Sequence, residues 1–73
     1  MLTKEQKRKL FSLMTELPQY VSEFQAQSAL ANLVRADDDL LENLYNVIFV
    51  KKEWGKETYP HPSVFIKRFF DHR

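Results

Sequence analysis

The sequence contains no cysteine, and its 73 residues include only one glycine, one tryptophan and two histidines. Without cysteine no disulfide can form, and a cytosolic setting is expected. A single glycine excludes a glycine-rich phosphate loop and disfavours a fold of β-hairpins, whose turns need positive φ. The longest wholly apolar run, Val47 to Val50, is far below the ~18 residues that a membrane-spanning helix needs. The charged start with its short apolar patch does not fit a secretion signal either.

The apolar content is high enough for one compact core. Hydrophobic residues make up 44% of the chain and aromatic residues 14%, which is too much for a disordered tail. A chain of this length forms one domain, so we predict a single domain over residues 1–73.

Hydrophobic periodicity predicts an all-α fold, a small single-domain bundle of about four helices. The first helix is predicted over about 4–16, with Thr3 and Gln6 as a capping box. The second is predicted over about 19–35, with Pro18 in its first turn. The third is predicted over about 39–54, capped by Asp39 with Glu42 and stopped by Gly55, and the fourth over about 62–71.

The apolar residues of each helix predict which face is buried. In the second helix, a stripe with steps of three and four residues is expected to face the core: Tyr20, Phe24, Gln27, Ala31 and Val34. The third helix is apolar on several sides and is expected to be central. Its main stripe comprises Leu40, Leu41, Leu44, Val47 and Ile48. A short β-strand over 46–50 is the alternative.

Charge is nearly balanced overall, at +1, but unevenly distributed. Residues 1–15 carry four basic side chains and one acidic, residues 16–42 carry one basic and six acidic, and residues 43–73 carry six basic and three acidic. A protein that binds mainly the phosphate backbone is usually strongly basic. Opposed patches fit better with a partner protein of mixed charge.

Catalytic chemistry has little support in the sequence. His61 lies between two prolines, and His72 is the only other histidine, so a catalytic triad or a metal site lacks residues. The run Asp37–Asp39 lacks the ligand spacing and turn glycine of a calcium loop. We therefore expect no enzyme activity, no metal and no cofactor.

Candidate partner-binding residues form two groups. The first is the basic start of helix one, and the second surrounds the connection between helices three and four: Lys4, Lys7 and Arg8; Lys51, Lys52, Trp54, Lys56 and Tyr59. Aromatic and basic side chains together are typical of the energetic centre of a protein interface. The competing interpretation is that the lysines form a solvated helix face, and that Trp54 and Tyr59 cover the edge of the core. Both interpretations stay open at this point.

The opening "MLTKEQKRKLFSLM", the single-domain helical plan and the ending "FIKRFFDHR" resemble the small RNA-polymerase-binding transcription regulators of lytic Xanthomonas phages. The resemblance implies a monomer in the cytoplasm of the bacterial host that contacts the β′ N-terminal and flap region of RNA polymerase. It implies loss of the σ factor, hence blocked initiation, and antitermination during elongation, with a host Nus elongation factor as a further partner. No strong binding to free DNA is expected. A small nucleic-acid-binding helical domain and a purely structural component are the alternatives.

Overall fold

The protein is a bundle of helices, described by a computed structural model over residues 1–55 and 58–72. These residues form four α-helices and two shorter helical segments, with no β-strand among them. The α-helices are α1 (Lys4–Ser12), α2 (Glu23–Arg35), α3 (Asp38–Tyr45) and α4 (Pro62–Asp71). A 3₁₀ segment (Leu13–Gln19) follows α1, and a π-helical turn (Asn46–Val50) follows α3. The predicted all-α fold is confirmed, and the alternative of a strand over 46–50 is wrong.

The start of α1 is the predicted capping box. The Gln6 amide donates to Thr3 Oγ1 at 3.1 Å, and the Thr3 amide donates to Gln6 Oε1 at 2.9 Å. After Ser12 the chain tightens into the 3₁₀ segment, which runs through Pro18 to Gln19. The helical run is therefore longer than the predicted 4–16, and its buried residues are Leu10, Met14 and Leu17.

The predicted second helix differs from α2 in its start and in its buried face. Pro18 belongs to the preceding segment, and α2 begins at Glu23 because Ser22 Oγ accepts a hydrogen bond from the Gln25 amide. The side chains that α2 buries are Ala26, Ala29 and Leu33, whereas the predicted core stripe lies on the exposed side. The small side chains of Ala26 and Ala29 let α2 pack closely against α4 and the 3₁₀ segment. If the side that carries Phe24 faced these elements instead, its bulky ring would hold them farther apart.

The third helix has the predicted core residues but different ends. Asp37 caps it, accepting from the Leu40 amide at 2.8 Å, so the expected cap at Asp39 and Glu42 is wrong. Its buried side chains are Leu41, Leu44, Tyr45 and Ile48, while Leu40 and Val47 are half-buried.

The helical run ends at Val50 and does not continue to residue 54. Lys52 adopts a left-handed φ of 55°, and the Glu53 amide turns back to donate to the Val47 carbonyl at 2.8 Å. This closure ends the helix at Val50, five positions before Gly55, the predicted stop. Gly55 instead has a φ of 75° in a separate turn, where its carbonyl accepts from the Thr58 and Tyr59 amides.

The fourth helix has the predicted bounds, with Pro62 in its first turn. Pro is tolerated there because the first amide groups of a helix have no intrahelical partner. Ile66 and Ser63 of α4 are fully buried. Five of the six helical elements each contribute one fully buried apolar side chain to the centre of the core: Leu10, Leu17, Leu33, Leu44 and Ile66. Ile48, from the π-helical turn, belongs to the same core cluster.

Candidate partner-binding surface

The basic start of the chain lies against the acidic start of α3. Lys7 Nζ is 3.4 Å from Asp38 Oδ1, and the Met1 ammonium donates to Glu42 Oε2 at 2.9 Å. These two pairs hold the first residue of the chain and α1 against α3. The hydrogen bond that the Glu42 carboxylate accepts raises the pKa of the Met1 amino group. The opposed charges that the sequence places in separate patches therefore partly neutralise each other within the molecule.

Two predicted basic residues of α1 stay exposed beside that contact. Lys4 and Arg8 are both exposed, whereas Lys7 is half-buried in its pair with Asp38. Residues 4, 7 and 8 are three and four positions apart, so they share one side of α1. The structure thus brings the first predicted group together on one helix face.

The second predicted group is divided by the structure. Lys51 and Lys52 are exposed, and Lys56 lies outside the described residues. Tyr59 is half-buried, with its ring edge-to-face with Phe65 at a centroid distance of 5.8 Å.

Trp54 does not provide the exposed aromatic anchor that the sequence suggests. Its side chain is only 8% exposed and belongs to the core cluster. Burial of an aromatic ring at this point satisfies the competing interpretation, in which Trp54 covers the edge of the core. Little of the Trp54 side chain is therefore accessible to a partner, and the exposed residues of this group beside it are Lys51 and Lys52.

His61 has a structural position at the junction of the 3₁₀ segment and α4. Its Nδ1 accepts from the Ser63 amide at 3.1 Å and caps α4. Its Nε2 faces the Glu16 carboxylate, and the ring stacks on Tyr20 at a centroid distance of 5.6 Å. The side chain thus connects the 3₁₀ segment to the start of α4.

Sequence reasoning missed an apolar surface on α2. Phe24 is 83% exposed and Val34 is 64% exposed, although both were expected in the core. A second apolar series with helical spacing, at Ala26, Ala29 and Leu33, was the signal for the true core face. With that face buried, the larger side chains point to solvent.

A shallow groove of about 260 Å³ lies between the 3₁₀ segment and α2. Its apolar lining comes from Met14 and Pro18 on one side and from Ala26 and Leu30 on the other. Glu23 and Gln27 complete its rim. The groove therefore adjoins the exposed apolar face of α2.

Neither a metal-binding cluster nor a membrane-spanning helix is found in the part of the chain that the structure describes. Over residues 1–55 and 58–72, no three side chains among histidine, aspartate and glutamate lie close enough together to hold a metal ion. Within the same residues, no helix is long and apolar enough to cross a bilayer.

No protein-family model, no curated protein and no solved structure matches the chain at a significant level.

Proposed function

We propose that the protein is a small non-enzymatic transcription regulator that binds bacterial RNA polymerase at the β′ N-terminal and flap region. Binding there blocks initiation by displacing the σ factor and promotes antitermination during elongation, with a host Nus elongation factor as a further partner. The polymerase itself is proposed from the resemblance of the chain's opening and ending to phage regulators. The binding mode is proposed from the surface.

The observation that carries a binding function is the exposed basic side chains of α1 next to the acidic start of α3. Lys4 and Arg8 are exposed on α1, and Asp39 is exposed near the Lys7–Asp38 pair. A surface on which both signs of charge lie side by side is complementary to a protein surface of mixed charge. Such charges speed association and fix orientation more than they add affinity.

The same observation disfavours the nucleic-acid alternative. A phosphate approaching Lys7 also meets Asp38, whose carboxylate lies 3.4 Å from the Lys7 ammonium. Asp39 and Glu42 add further negative charge along this side of α3. We therefore expect weak binding to free duplex DNA at physiological salt.

The test is binding of purified core RNA polymerase, and separately of a duplex DNA, at two salt concentrations. Lys4→Glu/Arg8→Glu is expected to slow association with the polymerase and to leave thermal unfolding unchanged, because both side chains are exposed. Arg68→Glu is the control, since it reverses an exposed arginine on α4. It should associate at nearly the unmodified rate.

Two results would overturn the proposal. One is failure of the unmodified protein to bind the polymerase at all. The other is micromolar or tighter binding to naked DNA that weakens steeply with salt, which is the behaviour of a phosphate binder. Lys7 is left unchanged in these variants because its loss would also disturb the contact with Asp38.

A further inference from the structure

We propose that the outer face of α2 docks an amphipathic helix of the partner protein in antiparallel orientation. We define the α2 outer face as the side chains Phe24, Gln27, Leu30, Ala31 and Val34. The incoming helix carries apolar residues on one side, acidic residues near its start and basic residues near its end. This inference deepens the proposed function, on which it rests, by naming the class of segment that the protein takes from its partner.

The first support is the exposure of apolar side chains at helical spacing. Residues 24, 27, 31 and 34 follow one another at steps of three, four and three, so they form one row along the helix, in which Gln27 is the polar member. Phe24 and Val34, at its two ends, are 83% and 64% exposed, and Leu30 beside it is 40% exposed. A helix that is apolar on two sides is usually packed on both. Among the described residues, however, the side chains that α2 buries are Ala26, Ala29 and Leu33, all on its other side.

The second support is the groove that runs beside this row. Leu30 lines it from α2, and Met14 and Pro18 line it from the 3₁₀ segment. An apolar side chain from a helix lying on the row can insert between these two elements. A helix in a hydrophobic groove is a common mode of peptide recognition, with contacts at the spacing found here.

The third support is the placement of charge at the two ends of α2. Glu23 is exposed at its start and Arg35 is exposed at its end. Helices commonly carry acidic residues in their first turn and basic residues in their last, which suits the helix dipole. An antiparallel helix therefore places its acidic start beside Arg35 and its basic end beside Glu23. The twelve residue steps from Glu23 to Arg35 span roughly 18 Å, so the incoming segment needs at least about three turns.

A second copy of the chain is the competing occupant, because α2 has this charge order itself. An antiparallel pair of α2 helices would set Phe24 against Val34 of the other copy and Glu23 against Arg35. One row on one helix is well short of the roughly 800 Å² that each partner buries in a stable interface. A larger partner can extend the contact beyond this row, and this favours a different protein as the occupant.

The first experiment uses two synthetic 18-residue peptides as probes. Both have leucines on one side and a staple that holds them helical. One has glutamates in its first turn and lysines in its last, and the other has glutamines at all of these positions. Titrated into ¹⁵N-labelled protein, the first peptide is expected to shift the amide resonances of the α2 outer face and to bind at least about fivefold more tightly than the second.

Val34→Ser is the informative variant and Val50→Ser is its matched control. The two valines are 64% and 65% exposed, so both changes should leave the fold intact, which a thermal melt verifies. Val34→Ser should weaken the first peptide at least about fivefold, because it replaces an apolar contact of the row with a hydroxyl. Val50→Ser should bind as the unmodified protein does.

The second experiment repeats these variants with purified core RNA polymerase. If the polymerase does not bind the unmodified protein while the first peptide still occupies α2, the proposed function fails and the docking face stands. If the polymerase binds all variants equally and neither peptide shifts α2, the docking face is overturned and the proposed function stands. Sedimentation of a dimer that Val34→Ser abolishes would also overturn it, since a second copy would then occupy the face.

Discussion

Replacing Trp54 with alanine should unfold much of the protein at moderate temperature, because the ring belongs to the core. The side chain is 8% exposed. Truncating a buried tryptophan costs about 3–5 kcal/mol of unfolding free energy, and a position at the edge of the core suggests about 3 kcal/mol. A domain of 73 residues has a total unfolding free energy of roughly 4–11 kcal/mol. The loss is thus a large part of the total, and it should lower the melting temperature by roughly 12–24 °C.

Thermal unfolding followed by circular dichroism at 222 nm measures this loss, and urea unfolding gives the free energy directly. Val50→Ala is the control, because Val50 is nearby in sequence and 65% exposed; it should melt close to the parent. If Trp54→Ala melts within about 2 °C of the parent, the ring contributes little to the core. The interpretation of Trp54 as a contact residue would then regain support.

Three further predictions test separate parts of the fold. Leu44→Ala should cost roughly 2–5 kcal/mol in urea unfolding, since Leu44 is 2% exposed; a cost below about 1 kcal/mol would contradict a central α3. His61→Ala should remove the cap of α4 and lower the unfolding free energy by about 1 kcal/mol. His61→Asn restores a capping oxygen and should recover part of that loss. If both variants are as stable as the parent, His61 does not cap the helix. Glu42 raises the pKa of the Met1 amino group, so the stabilising effect of this pair is present below about pH 8 and disappears as pH rises through the raised pKa. Glu42→Gln should remove this alkaline loss of stability from melts recorded between pH 7 and 10. An unchanged pH profile would exclude the pair in solution.

Those parts of the fold that depend on local chemistry could be predicted from the sequence. The bounds of α4 follow from Pro62 at its start, and the start of α1 follows from the Thr3–Gln6 capping box. The core stripe of α3 follows from the spacing of Leu41, Leu44 and Ile48. Each of these signals lies within a few residues of the feature that it determines.

The buried face of α2 could not be predicted in the same way. Both of its sides are apolar at helical spacing, and the larger residues, Phe24 and Val34, suggested the wrong one. The choice depends on how closely α4 and the 3₁₀ segment approach, which favours the small side chains of Ala26 and Ala29. Periodicity contains no information about that distance.

The candidate site shows the same division. Exposure of Lys4 and Arg8 follows from their position on a polar helix face, whereas burial of Trp54 depends on where the preceding helix ends. That end is set by a left-handed Lys52, a conformation uncommon for lysine, so Gly55 was the more reasonable expectation. The pairing of Lys7 with Asp38 joins residues 31 positions apart, and no local pattern reports it.

The complete burial of Ile66 has a consequence for synthesis of the protein in the cell. Ile66 lies in α4, the last of the four helices to leave the ribosome, and it fills the centre that the earlier helices enclose. Small helical bundles fold in microseconds to milliseconds, whereas a ribosome adds only about 5–20 residues per second. The three earlier helices are therefore made before the side chain that fills their centre is available, and the native core is complete only after α4 has left the ribosome.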